Sequence, residues 1–166
     1  KKKKIHMQFQ IGDVAVYPSR GVGKVIEIQE IERGGDVYEA YVVRFPADAQ
    51  CEEEENSKLE VPFRKKDGDQ PTSRNKMREL IAADQLEEHL YHVLRKTVEP
   101  DNQTWNRRYR IYLGKIASGN CKDISEVLRD LARLKYTKDL SFGERKMYEQ
   151  ARSLVVEEAA YALLID

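Results

Sequence analysis

The spacing of apolar positions changes once along the chain. From residue 8 to about residue 63, apolar residues alternate with polar ones or run in short β-branched stretches, the pattern of strands. GDVAVYP alternates and stops at Pro18, and GVGKVIEIQEIE is rich in valine and isoleucine. In VYEAYVVRF, Val37, Glu39, Tyr41, Val43 and Phe45 fall on one face, and Tyr38, Ala40, Val42 and Arg44 on the other. Arg33-Gly34-Gly35-Asp36 predicts a hairpin turn, because glycine takes positive φ without steric cost. LEVPF reads as a further short strand ended by Pro62. Short antiparallel strands in this number predict a small barrel. Two polar segments interrupt them. ADAQCEEEENS, with Glu52–Glu55 in a row, is expected to be a solvated loop tip, and RKKDGDQPTSRNK is expected to lead out of the barrel.

From about residue 81 the period becomes helical. DQLEEHLYHVLRK places Leu86, Leu90, Val93 and Leu94 on one stripe, and Pro100 marks a break. The next helix is expected from near Thr104 to near Gly119, with the glycine as its C-terminal cap. DISEVLRDLARL opens with Asp123 and carries Glu126 three residues on, a capping-box spacing, followed by Ile124, Val127, Leu128, Leu131 and Leu134 at helical intervals. SFGERK repeats the device with Ser141 and Glu144, and Met147, Ala151, Leu154, Val155 and Ala159 line the last helix. The fold class expected is α+β in two domains, a small antiparallel β-barrel over residues 7–80 and an all-α domain over residues 81–166. The first six residues, KKKKIH, are expected to be an expression remnant ahead of an initiating Met7.

Composition narrows the function. Lys plus Arg equals Asp plus Glu, at 29 each in 166 residues, so affinity for nucleic acid would have to come from a local patch. No apolar run reaches the roughly 18 residues of a membrane span, and no signal peptide is visible. Two cysteines, Cys51 and Cys121, give no disulfide framework or zinc pattern, which suits a reducing, cytoplasmic setting.

Catalytic signatures are missing. RGVGK at residues 20–24 lacks the leading glycine and the trailing Ser or Thr of a phosphate-binding loop; Pro18 and Val25 stand in those places. His89 and His92 could share a helix face, but no further ligands of zinc type accompany them. No serine or cysteine sits in a nucleophile motif. The expectation is a protein that is not an enzyme and uses no metal or cofactor.

The densest chemistry is TWNRRYR, residues 104–110, where the only tryptophan stands among three arginines. Two readings are open. Trp105, Tyr109, Tyr112, Leu113 and Ile116 fall on one helical stripe, which favours a core role for the indole. Against that, Trp105 lies in a first helical turn, where free N–H groups and the helix dipole suit a phosphate, and arginines adjoin it. A flat side chain among phosphate-binding arginines also fits minor-groove wedging.

Four stretches, GDVAVYPSRGVGKVIEI, TWNRRYR, EVLRDL and DLSFGERKMYEQARSLVVEE, occur in an order that resembles the CarD/CdnL family of bacterial transcription regulators, over nearly all of residues 8–160. The resemblance implies that the first domain is a Tudor-like barrel docking on the β subunit of RNA polymerase. A similar domain occurs in the transcription-repair coupling factor. The resemblance further implies that the helical domain touches promoter DNA at the upstream edge of the melted region. There Trp105 would enter the minor groove and Arg107 and Arg110 would meet phosphates, with Arg108 in the same basic cluster. The second strand and the strands around Tyr41 and Glu60 would form the docking edge, with Ile31, Arg33, Tyr41 and Glu60 as polymerase-contacting candidates. The extended loop ADAQCEEEENS departs from the family's short hairpin.

The expected function is therefore that of a monomeric regulator, cytoplasmic and brought to the nucleoid by polymerase, that stabilises the open promoter complex without reading bases. The alternative is an adaptor on polymerase whose helical domain binds another protein.

Overall fold

The computed structural model describes residues 8–46, 57–67, 76–99 and 101–164. The KKKKIH segment and the Glu52–Glu55 run lie outside them. The chain divides into two compact units. The first holds the strands and continues to Glu79; the second runs from Leu80 onward and takes in the short Pro18–Gly21 segment.

The first unit is a four-stranded antiparallel sheet of β1 (Val14–Tyr17), β2 (Gly21–Arg33), β3 (Asp36–Arg44) and β4 (Lys58–Lys65), in that order across the sheet. Gly34 and Gly35, with φ of 63° and 82°, turn β2 into β3 so that Arg33 faces Asp36. β4 runs through Pro62, which was expected to end it, and pairs it with Ala40. Among the described residues it is an edge strand with a register shift opposite, the setting in which a residue without an N–H is tolerated. Phe9, Ala15, Val25, Tyr41, Val43, Phe45, Val61, Phe63 and Met77 form one core cluster. Gly23 has no room for a side chain there, because a Cβ would lie 2.5 Å from Val43 Cγ1 and 2.8 Å from Phe45 Cε1.

The second unit begins with a helical stretch that is not plain α-helix. A 3₁₀ turn at Ala83–Gln85 leads into a π-helical segment, Glu87–Tyr91, and then α1 (His92–Arg95). Three helices follow: α2 (Trp105–Ser118), α3 (Cys121–Thr137) and α4 (Phe142–Leu164). Leu86, Leu90, Tyr112, Ile116, Val127, Leu131, Met147, Ala151 and Val155 are among the buried residues of its core.

Gly119, at φ 69°, closes α2 as expected. The start of α3 differs from expectation. It begins three residues earlier, at Cys121, because Asn120 and not Asp123 is the cap, and its side chain accepts the Lys122 N–H at 2.9 Å. Asp123 and Glu126 make no capping box. Asp123 lies 2.9 Å from the Ser118 hydroxyl, and Glu126 accepts from Lys115 Nζ at 2.6 Å, which holds its carboxyl below the usual value. Among the described residues, no helix is long and apolar enough to cross a membrane, and no group of three His, Cys, Asp or Glu could hold a metal.

Candidate nucleic-acid interface

α2 and α4 each begin at this site, and they are tied together there. Thr104 stands at the N-cap of α2 with extended backbone and no side-chain cap bond; its carbonyl accepts the amides of Arg107 and Arg108, each at 3.1 Å. As the first two helical residues, Trp105 and Asn106 have N–H groups without intrahelical acceptors. α4 is capped by a complete box. The Ser141 N–H donates to Glu144 Oε2 at 2.9 Å, and the Glu144 N–H donates to Ser141 Oγ at 3.3 Å.

Glu144 does more than cap. Its side chain is only 2% exposed and also accepts from Arg108 Nη2 at 3.1 Å and from Lys138 Nζ at 3.2 Å. Burial alone pushes its carboxyl up and is the largest single influence. The backbone bond from Ser141, the bonds from Lys138 and Arg108 and the Ser141 hydroxyl together outweigh it and hold the group below the usual carboxylate value.

Arg108 links this hub to the indole. Its guanidinium carbon lies 5.5 Å from the Trp105 ring centroid, and its side chain is 11% exposed. On another side, Trp105 rests on Gly143: a Cβ there would come within 3.3 Å of Trp105 Cζ2 and 3.5 Å of Nε1. Tyr109 tilts against the indole with centroids 5.4 Å apart. Trp105 is half-buried, packed on the margin of the helical core.

The buried side of α2 is rotated from the expected stripe. Tyr112 and Ile116 are buried, but Tyr109 and Leu113 are 40% and 42% exposed, and Arg108 takes a place on the inner side. Trp105 therefore sits where the core meets solvent. Arg107 and Arg110 are exposed and make no ion pair among the described residues. Arg108, grouped with them in the sequence, has its charge engaged by Glu144. The sequence pattern marks neither Glu144 nor Gly143 as a site residue. The SFGERK capping pattern placed Glu144 at the third helical position, but nothing local indicates a partner 36 residues away.

On the sheet unit the docking candidates separate. Arg33 and Glu60 are exposed and lie 3.6 Å apart, and Gln29 Nε2 donates to Glu60 Oε1 at 2.7 Å. Ile31 is half-buried. Tyr41 is a correction: it is 0% exposed, stacks on Phe63 with centroids 4.1 Å apart, and its hydroxyl accepts the Phe9 N–H at 3.3 Å. Its side chain belongs to the core and cannot meet a partner. A different feature stands out. β1 is four residues long, and the chain just before it already pairs with Val25, through Gly12 N–H to Val25 O and Val25 N–H to Asp13 O. Beyond Val25, the outer side of β2 faces no strand among the described residues.

The depressed carboxyl of Glu144 has a measurable consequence. A group whose folded value lies below its unfolded value contributes stability above the unfolded value, about pH 4.3 for glutamate, and loses it as pH falls through the folded one. Thermal unfolding of the wild type is expected to weaken below about pH 4.3 more steeply than that of Glu144→Gln, which cannot titrate at this position. Parallel pH profiles for the two proteins would show that Glu144 carries none of the acid sensitivity.

The family model described as "CarD-like/TRCF RID domain" matches residues 9–67, and the one described as "CarD, C-terminal domain" matches residues 89–166. A protein of Bacillus subtilis (strain 168) described as "Putative transcription factor YdeB" is 29% identical over 152 residues, which make up 90% of this chain and 89% of that protein.

Proposed function

Because this chain belongs to the CarD family of transcription regulators, we propose that it holds RNA polymerase through its first unit and steadies the open promoter complex through its second. The family is of transcription-factor type, and residues 9–67 match a domain of the RNA polymerase-interacting kind. The finer reading is that this domain takes the β subunit. The outer side of β2, which faces no strand over residues 26–33 among the described residues, can add a partner strand by backbone hydrogen bonds, with Ile31 and Arg33 on that strand and Glu60 reaching Arg33 and Gln29 from β4. The protein would then act in the cytoplasm as a monomer, at the nucleoid, wherever polymerase carries it.

The second half of the reading rests on one observation. A half-buried indole packs against Gly143 and lies near the Arg108 guanidinium, on a helix with two exposed arginines that lack ion pairs among the described residues. An apolar plate so held can prop a base step from the minor groove, with Arg107 and Arg110 on the flanking phosphates. Arg108 then positions Trp105, its own charge being engaged by Glu144. Phosphate contacts carry no base information, so the effect is general across promoters of similar stability. The test is the decay of preformed open complexes after challenge with a competitor. The chain is expected to slow that decay, and an unchanged rate with the chain bound to polymerase would defeat the proposal.

Salt dependence checks the arginines separately. Binding of the full chain to duplex DNA is expected to be weak, and Arg107→Ala or Arg110→Ala should each flatten the log–log salt dependence by about one unit of slope. An unchanged slope in both variants would leave these side chains outside the interface. The rival reading is an adaptor whose helical unit binds a protein. Tyr136, 92% exposed, and the exposed Val156 favour it. It predicts full retention on polymerase with no effect on DNA opening.

A further inference from the structure

Phe142 opens α4 with 84% of its surface exposed, although it is a large apolar residue at the start of a well-capped helix. Its position is not arbitrary. The next residue is Gly143, against which the Trp105 ring packs, so Phe142 is one residue removed from the contact between α4 and the indole. Tyr109, partly exposed, touches the indole as well. Arg145 and Lys146 follow in the next turn, both exposed and without an ion pair among the described residues. The first-turn amides of α4 are partly taken by the Ser141–Glu144 box, so this helix start offers side chains more than free N–H groups.

Single exposed apolar residues need no explanation. Here Trp105 and Tyr109 are in contact, Phe142 precedes the glycine that meets the indole, and on the same two helices Arg107, Arg110, Arg145 and Lys146 are exposed without an ion pair among the described residues. That combination is complementary to a polyanion that presents apolar faces between its charges, which is the chemistry of a nucleic-acid groove, with sugars and bases set between phosphates.

We infer that Phe142 is a second apolar contact to promoter DNA, lying against the groove wall or the propped step beside Trp105. This rests on the reading of Trp105 given above. Both residues would meet the same short stretch of DNA, with Trp105 packed against Gly143 and Arg108, and Phe142 free to adapt because most of its surface is exposed.

The experiment uses the full chain with RNA polymerase and a promoter. Phe142→Ala is expected to leave the melting temperature unchanged, because the ring is exposed, and to shorten the open-complex lifetime by about three- to tenfold. Phe142→Leu, which keeps an apolar surface, should restore most of it. A photo-crosslinking amino acid at position 142 should label promoter DNA in the open complex. Wild-type lifetime in Phe142→Ala, or crosslinks from position 142 to polymerase and none to DNA, would overturn the inference. The two levels separate cleanly. If Trp105→Ala shortens the lifetime and Phe142→Ala does not, only the role of Phe142 falls. If neither does, the reading of the whole site falls with it.

Discussion

Trp105→Ala is expected to leave the protein folded and bound to polymerase while shortening the lifetime of open promoter complexes by about five- to hundredfold. The range follows from stacking on a base step, worth about 1–3 kcal/mol per base, which the truncated side chain could no longer supply. The structure limits the stability cost. Trp105 lies at the margin of the core, resting on Gly143 and under Arg108, so its loss removes contacts on the inner side only. Truncating a fully buried tryptophan costs about 3–5 kcal/mol, and a half-buried one should cost roughly 1–2 kcal/mol. Thermal unfolding and open-complex decay on the same variant therefore divide two roles. A large loss of stability would make the indole a structural residue. A stable variant with a normal lifetime would remove it from function.

Glu144→Ala should be among the most damaging single changes in the helical unit, at about 3–5 kcal/mol of stability. The carboxylate is 2% exposed and meets Arg108, Lys138 and the Ser141 amide at once. Removing it leaves Arg108, itself only 11% exposed, without its partner, and breaks the cap of α4. Lys138 is half-exposed and can return to solvent, so its share of the loss is small. Glu144→Gln keeps a capping group at the third helical position and should lose much less. Because Arg108 also lies over Trp105, the alanine variant should lose open-complex lifetime even at temperatures where it remains folded. Measuring both by thermal unfolding and decay is decisive: a melting temperature close to wild type would show that the ion pair and cap are energetically minor.

Parts of this arrangement are legible in the sequence, and the reasons are local. Thr104 and Gly119 bracket α2, and Ser141 with Glu144 marks the start of α4, because caps are read from residues three or four apart. The same device misled at Asp123 and Glu126. Gly119 ends α2 just before Asn120, which supplies a competing cap three residues earlier, and the two acids turn to Ser118 and Lys115. The periodicity of β3 put Tyr41 and Val43 together on one face, but alternation alone does not say which face is the core; both are buried, so Tyr41 is lost as a docking residue. The stripe through Trp105 and Tyr109 was drawn on apolar character. The inner side of α2 includes Arg108, whose burial is made possible by Glu144 on another helix, and pairings at that sequence distance leave no periodic trace. The place of Pro62 and the side of β2 that faces no strand among the described residues likewise depend on which strands become neighbours.

The most direct test is a footprint of RNA polymerase on one promoter, made without this protein, with the wild-type chain and with Trp105→Ala. The wild type is expected to extend protection at the upstream edge of the melted region and to keep the bubble's single strands reactive for longer. Trp105→Ala should bind polymerase and lose both effects. Identical footprints and identical strand reactivity in all three samples, with the chain shown to be present on polymerase, would contradict a role at the DNA.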